Sequence, residues 1–268
     1  MAGSRAKEMI TRIIVALILL PLTLLLIIKG HPHLFFTVIL VLVLLATKEM
    51  INIMRKDNIK LYDKLMWVTA VIVPTLICFI GLDIFVLISF VTLFLLFILK
   101  MFSKNPTENV LEEVSYNFFA LMYVPFLFTF FPLLMFENYQ YILYLCFVVW
   151  ASDSFAYFTG VAIGKHKMIP KVSPGKTIEG VTGGIVGALI VAFVFNHYIL
   201  NATMLFTTVS SIAIIIAGIL GDLMESMMKR SANAKDSGSL LPGHGGILDR
   251  FDSLMIGAPV LYFLIQYM

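Results

Sequence analysis

Between Ser226 and Asp252 the chain reads SMMKRSANAKDSGSLLPGHGGILDRFD, setting Lys229, Arg230, Lys235 and Arg250 among Asp236, Asp249, Asp252 and several glycines, in a sequence that otherwise avoids charge. Carboxylates suit a hard cation, Lys and Arg suit phosphate oxygens, and Gly admits backbone close to a ligand. The combination points to a site for metal ions and a phosphorylated substrate. Just upstream, Asp222, Glu225 and Ser226 fall at i, i+3 and i+4, one face of a helix, and Asp249 and Asp252 are likewise i, i+3. Bringing these two helix ends together would gather Asp222, Asp249 and Asp252 around one point. Magnesium takes one or two carboxylates directly and leaves positions for water and phosphate. Two cations roughly 3.5 to 4 Å apart could activate an attacking oxygen and stabilise a leaving one. Taken alone, Asp249 also reads as a helix cap paired with Arg250 or Lys229.

A second polar stretch, KVSPGKTIEG from Lys171 to Gly180, precedes an apolar run. Ser173, Gly175, Lys176 and Thr177 would place hydroxyls, permissive backbone and a cation at a helix N-terminus, where free amides and the dipole favour anions. The spacing is not that of a Walker A loop. The same residues, with Glu179 near the first turn, also make a good helix start. His244, between Gly243 and Gly245, is either a general base or a solvated loop histidine; a phosphate nucleophile is already ionised near neutral pH and requires no base.

The elements that must position these groups are membrane helices. Of 268 residues, 60% are hydrophobic and 13% charged, and the mean hydropathy is +0.98. Long uncharged runs recur from end to end, which excludes a water-soluble fold and an outer-membrane barrel. The expectation is an all-α polytopic protein of about nine spans, near residues 13–28, 33–47, 65–82, 84–99, 114–136, 139–163, 178–200, 203–228 and 249–268. The first two, roughly 24 Å or less at 1.5 Å per residue, leave open a hairpin that does not fully cross. The N-terminal run lacks a small-residue cleavage site and reads as a retained signal anchor. With nine crossings, all Lys and Arg except Lys29 fall on one side, which predicts a cytoplasmic N-terminus and cytoplasmic polar loops. Cys78 and Cys146 lie inside apolar runs and imply neither disulfide nor metal pair.

Ionisable residues are expensive inside a bilayer and normally face a cavity or a partner. Here Asp153, Glu179, Asp222, Glu225, Asp249 and Asp252 concentrate in the last four spans. One membrane domain, residues 1–268, is therefore expected, with 1–136 mainly scaffold and 139–268 carrying the chemistry. Gly180 with Gly184, and Gly183 with Gly187, would let another helix approach closely, either within the subunit or in a dimer.

The segment from Ser226 to Asp252 resembles the signature of the phosphatidate cytidylyltransferases, the CDP-diacylglycerol synthases. Its fixed elements are Ser226, Lys229, Arg230, Lys235, Asp236, Gly238, Pro242, His244, Gly245, Gly246, Asp249, Arg250 and Asp252. The likeness extends to DSFAYFTGVAIGK (Asp153 to Lys165), to SPGKTIEG and to GDLMES (Gly221 to Ser226), while the N-terminal half matches only by hydropathy. One departure is Gly175, where relatives often carry a second basic residue. The resemblance implies attack of phosphatidate on the α-phosphorus of CTP, releasing pyrophosphate. It also implies Mg2+, or Mg2+ with a cation such as K+, held by Asp222, Asp249 and Asp252. Lys229 and Arg230 join these in catalysis. Substrate contacts are expected at Asp153, Lys165, Ser173, Lys176, Thr177, Glu179, Ser226, Lys235, Asp236, His244, Gly245, Gly246 and Arg250. A homodimer in the cell's inner (plasma) membrane follows by the same likeness, with no nucleic-acid partner. Two rivals remain: a CTP-dependent lipid alcohol kinase of the dolichol kinase type, and an ion-coupled transporter.

Overall fold

Apolar runs of this length must satisfy their backbone groups internally, and helices do so within each segment. The computed structural model describes residues 2–55, 60–238 and 245–268, with backbone alone at 2–14 and 16. Nine long helices run through the described residues: α1 (Ala2–Lys29), α2 (Pro32–Met54), α3 (Asp63–Ile80), α4 (Ile84–Met101), α5 (Val110–Glu137), α6 (Tyr139–Ile163), α7 (Ile178–Phe195), α8 (Met204–Ser231) and α9 (Leu248–Tyr267). Among the described residues seven are long and apolar enough to cross a membrane; the described side chains of α1 make a shorter apolar stretch, Leu17–Lys29, and α9 falls outside that set. The second helix outruns its expected length: its 23 residues span roughly 34 Å at 1.5 Å per residue, sufficient for a full crossing.

Local chemistry sets several helix starts. Asn138 Oδ1 accepts the N–H of Gln140 at 2.9 Å ahead of α6, and Thr203 Oγ1 that of Phe206 at 3.1 Å ahead of α8. Prolines 74, 125, 132 and 259 sit inside helices, where neighbouring segments compensate the lost backbone bond. The centre of the bundle is α5, which packs against α2, α3, α4, α6 and α9. Phe128 packs tilted, and Phe131 edge-on, against Phe251 of α9 at centroid distances of 5.2 and 5.6 Å. In a bilayer such close packing, rather than exclusion of water, holds helices together.

Two pairs of helices carry the polar groups. Along α6 and α7 the glycines decide the approach: a Cβ on Gly184 would lie 2.8 Å from the Ser152 carbonyl oxygen, and one on Gly180 2.8 Å from that of Ala156. The small-residue stripe is thus occupied within this chain. Between α6 and α7 stands the one departure from an all-helical chain among the described residues, an antiparallel hairpin of β1 (Lys167–Ile169) and β2 (Ser173–Thr177), pairing Lys167 with Thr177 and Ile169 with Ser173. In the other pair, α8 and α9 meet at Gly221, where a Cβ would come 3.0 Å from the Ile256 side chain and collide with the Asp252 carbonyl oxygen.

Candidate active site

The hairpin lies over the end of the bundle where α6 stops and α7 begins. Thr177 ends β2 and caps α7, its Oγ1 accepting the N–H of Gly180 at 3.1 Å. Glu179, in the first turn, accepts the backbone N–H of Lys165 at 3.1 Å and of His166 at 3.2 Å, and its Oε1 lies 2.6 Å from His166 Nδ1. One carboxylate thereby ties both ends of the hairpin together. Glu179 and Lys165, expected to contact substrate, do not line the cavity below; they hold its rim.

That cavity has a volume of about 550 Å3, and its wall includes Asp153, Lys167, Ser173, Lys176, Thr177 and Asp222. Ligand pockets run from roughly 300 to 1,000 Å3. Lys176 reaches across it to Asp222, with Nζ 2.5 Å from Oδ2. Ser226 Oγ donates to Asp222 Oδ1 at 3.3 Å, so its i, i+4 placement is realised as a contact. Asp153 senses the charges of Asp222, Asp252 and Lys176, and Asp252 those of Asp222 and Lys229. Glu225, only 2% exposed, has Lys229 Nζ 3.2 Å from Oε1 and no hydrogen bond to either oxygen from any described residue. Two of these carboxylates, Asp153 and Asp222, line the cavity with Lys176, and magnesium needs only one or two carboxylates besides water and phosphate oxygens.

Asp249 belongs to a different network. Its Oδ1 takes Lys229 Nζ at 2.6 Å, and its Oδ2 takes the N–H and Oγ of Ser237 and the N–H of Gly246, each at 2.9 Å. The expected trio of Asp222, Asp249 and Asp252 does not close as drawn, and among the described residues no three Asp, Glu, His or Cys side chains converge to hold a metal. The physical reason is Lys229: its ammonium lies 2.6 Å from Asp249 and 3.2 Å from Glu225, so the charge of Asp249 is already met by a cation of the chain. The alternative in which Asp249 pairs with Lys229 is the arrangement found.

The remaining expected residues divide by position. Gly245, at φ +78°, and Gly246 let backbone pass close to carboxylates: a Cβ on Gly245 would lie 2.7 Å from Asp249 Oδ2, and one on Gly246 2.5 Å from Oε2 of Glu49. Arg230 is exposed and donates to the Ala234 carbonyl at 3.3 Å. Lys235, Asp236 and Arg250 are exposed and do not line the cavity. His244 lies outside the described residues.

Several contributors escaped the sequence reading. Glu49, on α2 and 6% exposed, accepts the N–H of Ile247 at 2.9 Å on Oε1, and the N–H of Leu248 at 3.0 Å and Oγ of Ser237 at 3.1 Å on Oε2. The signal was present, an acidic residue inside an otherwise apolar run, which by the rule for intramembrane charge needs a partner. Lys167 joins the cavity wall because the hairpin folds back, and nothing in the residues around it announces that turn.

A family model described as the cytidylyltransferase family matches residues 10–268. A phosphatidate cytidylyltransferase of Bacillus subtilis (strain 168) is 44% identical over 158 residues, 58% of this chain and 59% of the relative. One from Haemophilus influenzae is 43% identical over 173 residues, 60% of this chain and 58% of the relative. One from Staphylococcus haemolyticus is 41% identical over 176 residues, 65% and 67% of the two chains. The matched stretch therefore spans less than two thirds of the first two relatives.

Proposed function

Because the chain belongs to the cytidylyltransferase family, we propose that it joins CTP to phosphatidate, giving CDP-diacylglycerol and pyrophosphate. A phosphatidate oxygen forms a bond to the α-phosphorus of CTP as the bond from that phosphorus to the bridging oxygen breaks, and pyrophosphate leaves with the electron pair. The observation that carries the reading is the cavity in which Asp153 and Asp222 face Lys167 and Lys176. Two polyanions must be brought together there, and repulsion between them is offset by cations aimed at the phosphoryl oxygens. Lys176 now pairs with Asp222; a triphosphate would compete for the same ammonium, and Lys167 would meet it from the hairpin's other strand. Exposed Tyr157 and Val161 on the α6 wall give the cavity an apolar margin suited to a diacyl lipid.

Asp153 and Asp222, the two carboxylates that line the cavity, would hold Mg2+ together with water and substrate phosphate oxygens, and the ion would supply Lewis-acid polarisation of the phosphoryl oxygens when bound. The protein would sit in the plasma membrane, and the distribution of Lys and Arg argues for this end facing the cytoplasm, where CTP is found. The test is a turnover assay with phosphatidate, Mg2+ and CTP labelled at the α-phosphorus. Label should pass to lipid with release of pyrophosphate. Release of CDP with the γ-phosphoryl group on an alcohol would instead indicate a lipid kinase, and uptake into proteoliposomes without CTP a transporter.

A further inference from the structure

We infer that Glu49 is a positioning residue of this site, reaching from α2 to fix the amino end of α9 and the loop before it, so that Asp252 stands beside Asp153 and Asp222. The first N–H groups of any helix lack partners within it. At α9 no side chain of the residue that opens the helix supplies one. Glu49, almost 200 positions earlier in sequence, does so instead, receiving the N–H groups of Ile247 and Leu248 on separate oxygens. A carboxylate at that place also complements the positive end of the helix dipole. Burying a carboxylate is unfavourable if its oxygens are left bare; three donors offset that.

The loop is shaped around this side chain. A Cβ on Gly238 would lie 2.7 Å from Glu49 Oε1, and one on Gly246 2.5 Å from Oε2. Two glycines of a stretch read as admitting backbone close to a ligand thus make room for a carboxylate of the protein itself. Ser237 Oγ, with a single proton, stands 3.1 Å from Glu49 Oε2 and 2.9 Å from Asp249 Oδ2. It links the anchor on α2 to the one on α9, so the first turn of α9 is held from both sides. Asp252 lies one turn on from that held end.

The inference rests on the proposed cytidylyltransferase reading for its kinetic arm only. In Glu49→Gln, the amide NH2 would face the N–H of Ile247 or Leu248, donor against donor. Hydrogen exchange of the purified full chain should then accelerate about tenfold or more in peptides covering 245–252, with α5 unchanged. In the CTP assay, kcat per folded molecule should fall about 10- to 100-fold while KM for CTP moves less than about threefold, since CTP is met by the hairpin and α6. Glu49→Gln and Ser237→Ala should be non-additive, the double variant resembling the worse single one. Unchanged exchange at 245–252, additive losses, or a lowered unfolding temperature with kcat per folded molecule intact would each overturn the role. If Glu49→Gln does not fold, Glu49→Asp and Ser237→Ala carry the same measurements. If the wild-type chain makes no CDP-diacylglycerol, the reaction is wrong, and the exchange experiment still decides the role of Glu49.

Discussion

Asp249 accepts from Lys229, Ser237 and Gly246, whereas Asp222 stands among like charges with one part-exposed lysine to balance it. The two aspartates therefore respond oppositely to neutralisation, although both variants should lose turnover. Asp249→Asn exchanges an acceptor for a donor beside Lys229 or the loop amides, and should lower stability by about 1 to 3 kcal/mol. Asp222→Asn removes repulsion with Asp153 and Asp252 and should leave the unfolding temperature equal or higher. Thermal unfolding in detergent, run beside the CTP assay, separates them; equal destabilisation by both would contradict the distinct networks. Lys229→Met should be the more damaging change, because it takes the cation from Asp249 and from buried Glu225, which has no hydrogen-bond partner among the described residues, a loss of about 3 kcal/mol or more. Residue types alone showed that these groups belong together. They did not show which carboxylate a lysine would occupy, because that depends on how far α8 and α9 slide before Gly221 meets the Asp252 carbonyl.

At the level of elements, the hairpin is the piece that sequence periodicity leaves out. Its strands have three and five residues, too short for alternation to register against noise. The helix start beside it was legible: Thr177 caps and Glu179 sits in the first turn, as SPGKTIEG suggests. What Glu179 does with its side chain was not, since its partners Lys165 and His166 are more than a dozen residues earlier. Glu179→Ala should free the hairpin and raise KM for CTP about tenfold with a smaller change in kcat, the pattern of a lost binding contribution. An unchanged KM would mean that the rim does not need this tie. The α6 and α7 glycines illustrate the reverse case, in which the sequence gives two uses for a stripe and packing selects one: they are filled by Ser152, Ala156 and their neighbours in the same chain.

For the whole molecule, the order and approximate limits of the helices were readable, because a bilayer enforces length and polarity on every segment. The division into scaffold and chemistry was readable only in part. Most of the first half packs around α5, but Glu49 sends that half into the loop at the start of α9. Such a contact, between residues almost 200 apart, leaves no local trace beyond one acidic residue in an apolar run. Orientation can be checked directly on the hairpin's second strand, where a Cβ on Gly175 meets nothing within 4 Å. Gly175→Cys should react with a membrane-impermeant maleimide in inverted vesicles and not in right-side-out ones; the opposite pattern would reverse the assigned topology. The native thiols at Cys146, buried, and Cys78, partly buried, should stay silent in that experiment.

The Lys176–Asp222 pair joins the hairpin to α8, and its two side chains are 24% and 30% exposed. A pair so open to solvent is worth at most about 1 kcal/mol. The tie across the cavity is thus held by little more than thermal energy, so parting it asks nothing of the helices behind, and it slackens further as ionic strength rises.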